Sequence, residues 1–370
     1  MKKYLYHGIV FSLLTLTLLS GCSGGKSGGN PPAATHVYVA GNKLVAAPGI
    51  PFPVTNAVYW EDNGDPKPLD SSTVSTANAI AGSNGIVYIA GSRGIQNDQE
   101  AGYWYGASGG SLNFHQLGLS GGMTAAMATA IAVSGAAVHT AGAQLNNSGS
   151  AATYWKSDGT PVVLDNGSVS SQVFSIAVSG GFVYAVGVAD SNGNSIAMYW
   201  KIEAGSGTVD QSLELGSAGS FANSIAISSD GTIYVAGSQS GNAALCWKIN
   251  AGGADNSTVT DTFTLDGGVD AFDVAAVSGN VVYVAGRNSS DLPMRWKIAG
   301  SDVTQQQLSV SAGFSGRPPY VIAASSADVY VAGALSDGFS ISAVYWKNDE
   351  EPVTLSTGAI QVSAIFVDRR

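Results

Sequence analysis

The chain has 370 residues and a formal charge of −10, with only 11% of residues charged and 48 glycines. An acidic balance without any basic stripe excludes a nucleic-acid partner, whose phosphates would be repelled. Apolar residues reach 45%, which is too much buriable surface for a disordered chain, and two cysteines are too few for a disulfide framework.

The chain opens MKKYLYHGIVFSLLTLTLLSGC. Lys2 and Lys3 precede an apolar run from Ile9 to Leu19, shorter than the roughly 20 residues that span a bilayer, so the segment reads as a secretory signal. Leu19-Ser20-Gly21-Cys22 resembles the lipobox of bacterial lipoproteins. That resemblance implies a signal peptide over 1–21, a diacylglycerol on the Cys22 thiol and a further acyl chain on its amine. Two or more chains make a stable anchor where one would be marginal. Loss of the two leader lysines would take the charge from −10 to −12. Ser23 stands where an Asp tends to retain enteric lipoproteins at the inner membrane, so the same resemblance tilts the expected address toward the outer membrane.

Residues 22–35 are Gly/Ser-rich and then Pro-rich, a flexible tether with a stiffer end. The GGKS within it is not a phosphate loop: the Gly required five residues before Gly25 is Ser20, and no strand precedes it.

From His36 onward one phrase recurs. VYVAG or a variant ends at Gly41, Gly91, Gly142, Gly187, Gly237, Gly286 and Gly333, spaced 50, 51, 45, 50, 49 and 47 residues apart. Each copy is followed by a tryptophan, at Trp60, Trp104, Trp155, Trp200, Trp247, Trp296 and Trp346, and these are all the tryptophans in the chain. Self-similarity at such a period marks a repeat architecture. Within one unit, FSIAVSGGFVYAVG reads as a hairpin, IAMYWKI as a third strand and SLELG as a fourth. Four antiparallel strands per repeat predict the blades of a β-propeller. Tyr59 and Trp60 (or Tyr345 and Trp346) point to opposite sheet faces, yet both are large and apolar. Each blade therefore needs a packed neighbour on both sides.

The first copy, HVYVAG, lacks its first strand, and the chain ends on VSAIFVDRR, a first strand without a second. Pairing Val362–Asp368 with Val37–Ala40 would complete one blade and remove two exposed edges. The expectation is an all-β, seven-bladed propeller over 36–370, closed by the C-terminal strand. The array VYVAG…YWK, closest to pattern at TYWKSDG from Thr153 and VYWKND from Val344, also resembles repeat arrays of bacterial secreted proteins and lipoproteins. That family implies architecture only. The copies YWKIEAGSG, CWKINAGG and RWKIAGS depart from it with longer hairpin loops.

No constellation of catalytic residues stands out. The seven tryptophans, fixed in register, read as structural filling between blades rather than sugar platforms. Lys156, Lys201, Lys248, Lys297 and Lys347 follow tryptophans and are expected to lay their stems on apolar surface with the charge in water. His36, His115 and His139 fall at different repeat positions, so neither a metal site nor a cofactor is expected. Asp190-Ser191-Asn192-Gly193-Asn194 begins like a calcium loop but has Ser195 and Lys201 where Gly and Glu are needed, and reads as a polar turn. Cys246 occupies a strand position as a buried thiol. Loops between second and third strands vary while strands do not, and variable loops on a rigid scaffold are where binding resides. Near the axial mouth, Asp270 and Asp273 are candidate carboxylates, and Arg317 with Tyr320 a candidate anion or stacking contact.

The sequence thus points to an exported, membrane-anchored monomer that binds a protein or glycan through one face. An envelope enzyme, a glycan hydrolase or lyase using funnel carboxylates, is the alternative, and a purely structural envelope component is the third.

Overall fold

A computed structural model describes residues 35–369 apart from 47–52, 63, 71–73, 95–97, 166–169, 192, 242, 253–255, 278–279, 326–327 and 358–359. The lipobox, the GGKS stretch and Asn192 of the calcium-like loop lie outside the described residues. Those described form seven four-stranded antiparallel sheets. Each sheet is a blade, with strands a to d running outward from the axis. Blade 1 combines Ile360–Arg369 as strand a with Thr35–Val45, Val54–Glu61 and Lys67–Pro68. Blades 2 to 7 follow in chain order over 75–116, 125–163, 171–214, 221–264, 270–307 and 315–357. Each strand a touches the strand a of both neighbouring blades, so the ring is closed.

The closure joins the two predicted segments. Val37 pairs with Val367, Tyr38 with Phe366, Val39 with Ile365 and Ala40 with Ala364. Tyr38 and Phe366 stack with ring centroids 5.9 Å apart. The first and last described strands therefore pair in one sheet, which covers the edge that Thr35–Val45 would otherwise expose.

The repeated glycine has a specific cause. Opposite it, strand a carries a β-bulge in every blade, for instance between Ala222 and Ser224 in blade 5. The bulge presses strand a against strand b. At Gly237 a Cβ would collide with the Phe221 carbonyl oxygen and lie 2.6 Å from the Trp247 ring, so only Gly fits there.

All seven tryptophans are buried. They pack toward the preceding blade: the Nε1 groups of Trp155, Trp296 and Trp346 donate to the carbonyls of Gly118, Asp266 and Ser309 in the connections entering their blades, at 2.7, 3.0 and 2.8 Å. The adjacent tyrosine reaches the other way. Tyr154 donates to Ala204 O at 3.4 Å, and the Tyr199 hydroxyl lies 2.9 Å from Ser257 Oγ, each in the following blade. In blade 6 this slot holds Arg295, which donates to Asn348 O and Asp349.

A second set of bonds sews the inner strands together. The bulged residues Asn78, Thr129 and Asn223 each donate across the seam to a carbonyl of the next strand a, those of Ala128, Val173 and Ala271, at 2.8, 2.6 and 2.8 Å. One position further on, Ser175 Oγ accepts from Ile225 N at 2.9 Å, and Ser224 Oγ donates to Asp273. Buried backbone groups need such partners, and here they are supplied by the adjacent blade.

Candidate ligand-binding site

The loops entering strand a and those joining strands b and c share one end of the ring. Blade 3 shows this directly, because Ala126 N at the start of its strand a donates to Gln99 O in the b–c loop of blade 2. The chain enters the ring at the opposite end, where Thr35 pairs with Arg369.

Of the four candidate residues, Asp270 lines a cleft. Asp270 opens strand a of blade 6 (Asp270–Val277) and is half-buried. Its Oδ2 accepts from Arg287 Nε at 2.7 Å and Nη2 at 2.5 Å, and Arg287 also binds Asp291. Asp273 is a correction to the sequence reading. Only 1% exposed, it is a buried link rather than an open funnel carboxylate. Its Oδ1 accepts from Ser224 Oγ at 2.5 Å and Val274 N at 2.9 Å, and its Oδ2 from Ile322 N at 2.8 Å. It thereby ties blades 5, 6 and 7 together. Burial pushes its carboxyl up to about 7, against the three donors that favour the anion. The expected pair of carboxylates does not exist here.

Tyr320 is likewise no surface platform. It is fully buried, donates its hydroxyl to Asp291 O at 2.9 Å and meets the edge of Trp346. Desolvation raises its phenol pKa. It sits in a wide irregularity of strand a, between Arg317 and Val321, that includes the cis Pro318-Pro319 bond. Arg317 is exposed and makes no ion pair among the described residues.

Asp270 lines a cleft of about 230 Å³ between blades 5 and 6. Phe221 and Phe272 form its apolar wall, Ser238, Gln239, Ser240 and Gly241 bring in the b–c loop of blade 5, and Asn223 lines it from the bulge. Gln239 is pinned, its Nε2 donating to Ala218 O at 3.1 Å. A second, larger cleft of about 640 Å³ opens at the other end, between blades 4 and 5. On its lining Lys248 faces Asp261 at 3.7 Å, and the Ser228 hydroxyl, 2.5 Å from Asp230, holds that carboxyl down to about 2.

Other residues are structural. Lys201 corrects the expectation for the lysines: its side chain is wholly buried, 2.9 Å from Asp210 and over the Phe182 ring. His139 Nδ1 meets the Tyr154 hydroxyl at 2.7 Å, and burial lowers its pKa. Cys246 is buried, and desolvation pushes its thiol up to about 12. Asp190 Oδ1 accepts from Gly193 N at 2.8 Å in the turn between strands b and c of blade 4. No group of three His, Cys, Asp or Glu side chains with metal-binding geometry occurs among the described residues.

No family model matches the chain, and no curated protein matches it in sequence. Solved structures do match. Provisionally assigned 6-phosphogluconolactonases from Bacteroides uniformis and Bacteroides fragilis, and a protein from Lactobacillus plantarum, each superpose with TM-score 0.55 at 13% identity and cover 90% of this chain. The matched share of those chains is 99%, 98% and 99%. At that identity the likeness establishes a propeller fold and nothing finer.

Proposed function

We propose that the chain is a bacterial lipoprotein, cut before Cys22 and anchored through lipid on that residue, whose propeller binds a ligand at the end bearing the b–c loops. The observation that carries the binding role is the cleft between blades 5 and 6, where a variable loop, two phenylalanines and the Asp270 carboxylate converge on a rigid seam. Of the two carboxylates expected to act together, Asp273 is sealed within the seam and bonded at both oxygens.

Anchoring and binding are tested separately. Replacing Cys22 by Ser should move the protein from the detergent phase to the aqueous phase in a cloud-point partition and abolish labelling by a fatty-acid analogue. Unchanged partition would refute the anchor. Immobilised protein from Asn30 to Arg370, which contains the whole closed ring, should retain an envelope protein or a glycan from a panel. Retention of neither would refute the binding role.

A further inference from the structure

We infer that the cleft between blades 5 and 6 is a subsite for one neutral pyranose unit, the terminal sugar of a glycan; this rests on the binding role proposed above and specifies its ligand. The volume of about 230 Å³ lies below the roughly 300–1,000 Å³ of pockets that take drug-sized ligands, and suits a single ring. Phe221 and Phe272 supply an apolar wall for the C–H face of a sugar, the kind of surface an aromatic ring offers.

The polar groups suit hydroxyls. Arg287 occupies Asp270 Oδ2, which leaves Oδ1 to accept from a ligand hydroxyl. Ser238 and Ser240 add hydroxyls of their own on the loop side. On the lining, Asn223 is fixed against the seam by its Nδ2, which donates to Ala271 O.

Charge selects against acidic sugars. Asp270 faces the ligand, the cation paired with it, Arg287, is already held by Asp270 and Asp291, and the chain carries −10 overall. An anion entering here would meet the Asp270 charge, while the arginine beside it is already engaged.

The test is saturation-transfer NMR on the full chain in detergent, with millimolar methyl glycosides of glucose, galactose, mannose, fucose and N-acetylglucosamine, and with glucuronate as the acidic control. Ser240→Trp places a bulky ring at an exposed position of the mouth, Phe221→Ala removes part of the wall, and Ser148→Trp alters the matching loop of blade 3. At least one neutral glycoside should give a signal that falls tenfold or more in S240W and weakens in F221A, with S148W unchanged and glucuronate silent. If S240W fails to fold by circular dichroism, F221A carries the test. Neutral glycosides binding equally to these variants would overturn the subsite while leaving a glycan-binding role intact. Silence from every glycoside, with an envelope protein retained by the immobilised chain, would overturn the subsite and keep the binding scaffold. A glucuronate signal matching the neutral ones would overturn the charge argument and the inference with it.

Discussion

Removing residues 360–370 should unfold the protein rather than shorten it. That segment supplies strand a of blade 1, and within it Val362 and Ile365 are each 1% exposed, Phe366 6% and Val367 7%. Burying a side chain of this size contributes about 1.5–3 kcal/mol, so these four together represent about 6–12 kcal/mol. A domain's whole stability is only about 5–15 kcal/mol. The truncation also strips the ladder along Thr35–Lys43 and bares the apolar flanks of blades 2 and 7. Thermal melting by circular dichroism together with size-exclusion chromatography should show loss of the cooperative transition and aggregation. A circular permutant makes the complementary case. Joining Arg370 to Thr35 through a short Gly/Ser linker is geometrically easy because Thr35 and Arg369 are already paired. New ends between the exposed Gly121 and Gly122, in the connection of blades 2 and 3, would cut no sheet. This permutant should fold and melt cooperatively. A truncated chain that melts like the full-length protein would refute the closure as the source of stability.

Four further outcomes follow from the packing within and between blades. Trp200→Ala should lower stability by about 3–5 kcal/mol in denaturant unfolding, the cost of truncating a buried aromatic, and an unchanged midpoint would remove its packing role. Gly237→Ala should destabilise by about 1–3 kcal/mol or more, as overpacking against a backbone oxygen does. Asp273 has a folded pKa of about 7 against 3.8 unfolded, so the folded state binds the extra proton. Its contribution is full below about pH 4 and is lost as pH rises through 7, about 4 kcal/mol in all. The stability of the parent measured against that of Asp273→Asn across pH 4 to 8 should show this slope, and parallel profiles would contradict it. Asp210→Ala, which leaves Lys201 buried without that partner, should cost more than the ~1 kcal/mol ceiling of exposed pairs, whereas Asp261→Ala, opposite the half-exposed Lys248, should stay beneath it.

The blades, their number and their closure were legible because each rests on residue types recurring at a fixed spacing. Gly opposite a bulge and Trp against the preceding blade are demanded by geometry that repeats, so they repeat in sequence. The bonds that sew the inner strands together do not. The bulge position is held by Asn78, Thr129, Phe174, Asn223, Phe272 and Ser363 in different blades; any side chain that bonds or packs across the seam serves there, and variation hides the role. Asp273 was misjudged for this reason. Its nearness to the axial mouth in sequence suggested exposure, whereas its alignment with Ser175 and Ser224 one residue past the bulge signals a link between blades. Lys201 was misread because the burial of one lysine among five depends on Asp210 and Phe182, which no repeat rule fixes. The cleft is half legible: Asp270 stands out near the axial mouth, but Phe221 and Phe272 form a wall only because two blades lie side by side, which no single repeat shows.

The ring's polarity joins the two halves of the proposal. Thr35 enters at the end carrying the a–b and c–d turns, and the cleft lined by Asp270 lies at the other end. With lipid on Cys22, residues 22–34 would tie the ring to the membrane, and fully extended they reach about 45 Å at most. A short leash attached to one end of a rigid ring biases that end toward the bilayer and the opposite end outward. Shortening the leash should therefore leave binding at the cleft unaffected, whereas moving the anchor to the b–c loop end, by permuting the chain so that it begins at Gly122, should hinder it. Equal capture of a large glycan by both anchored forms would show that the ring tumbles freely on its tether and that orientation plays no part.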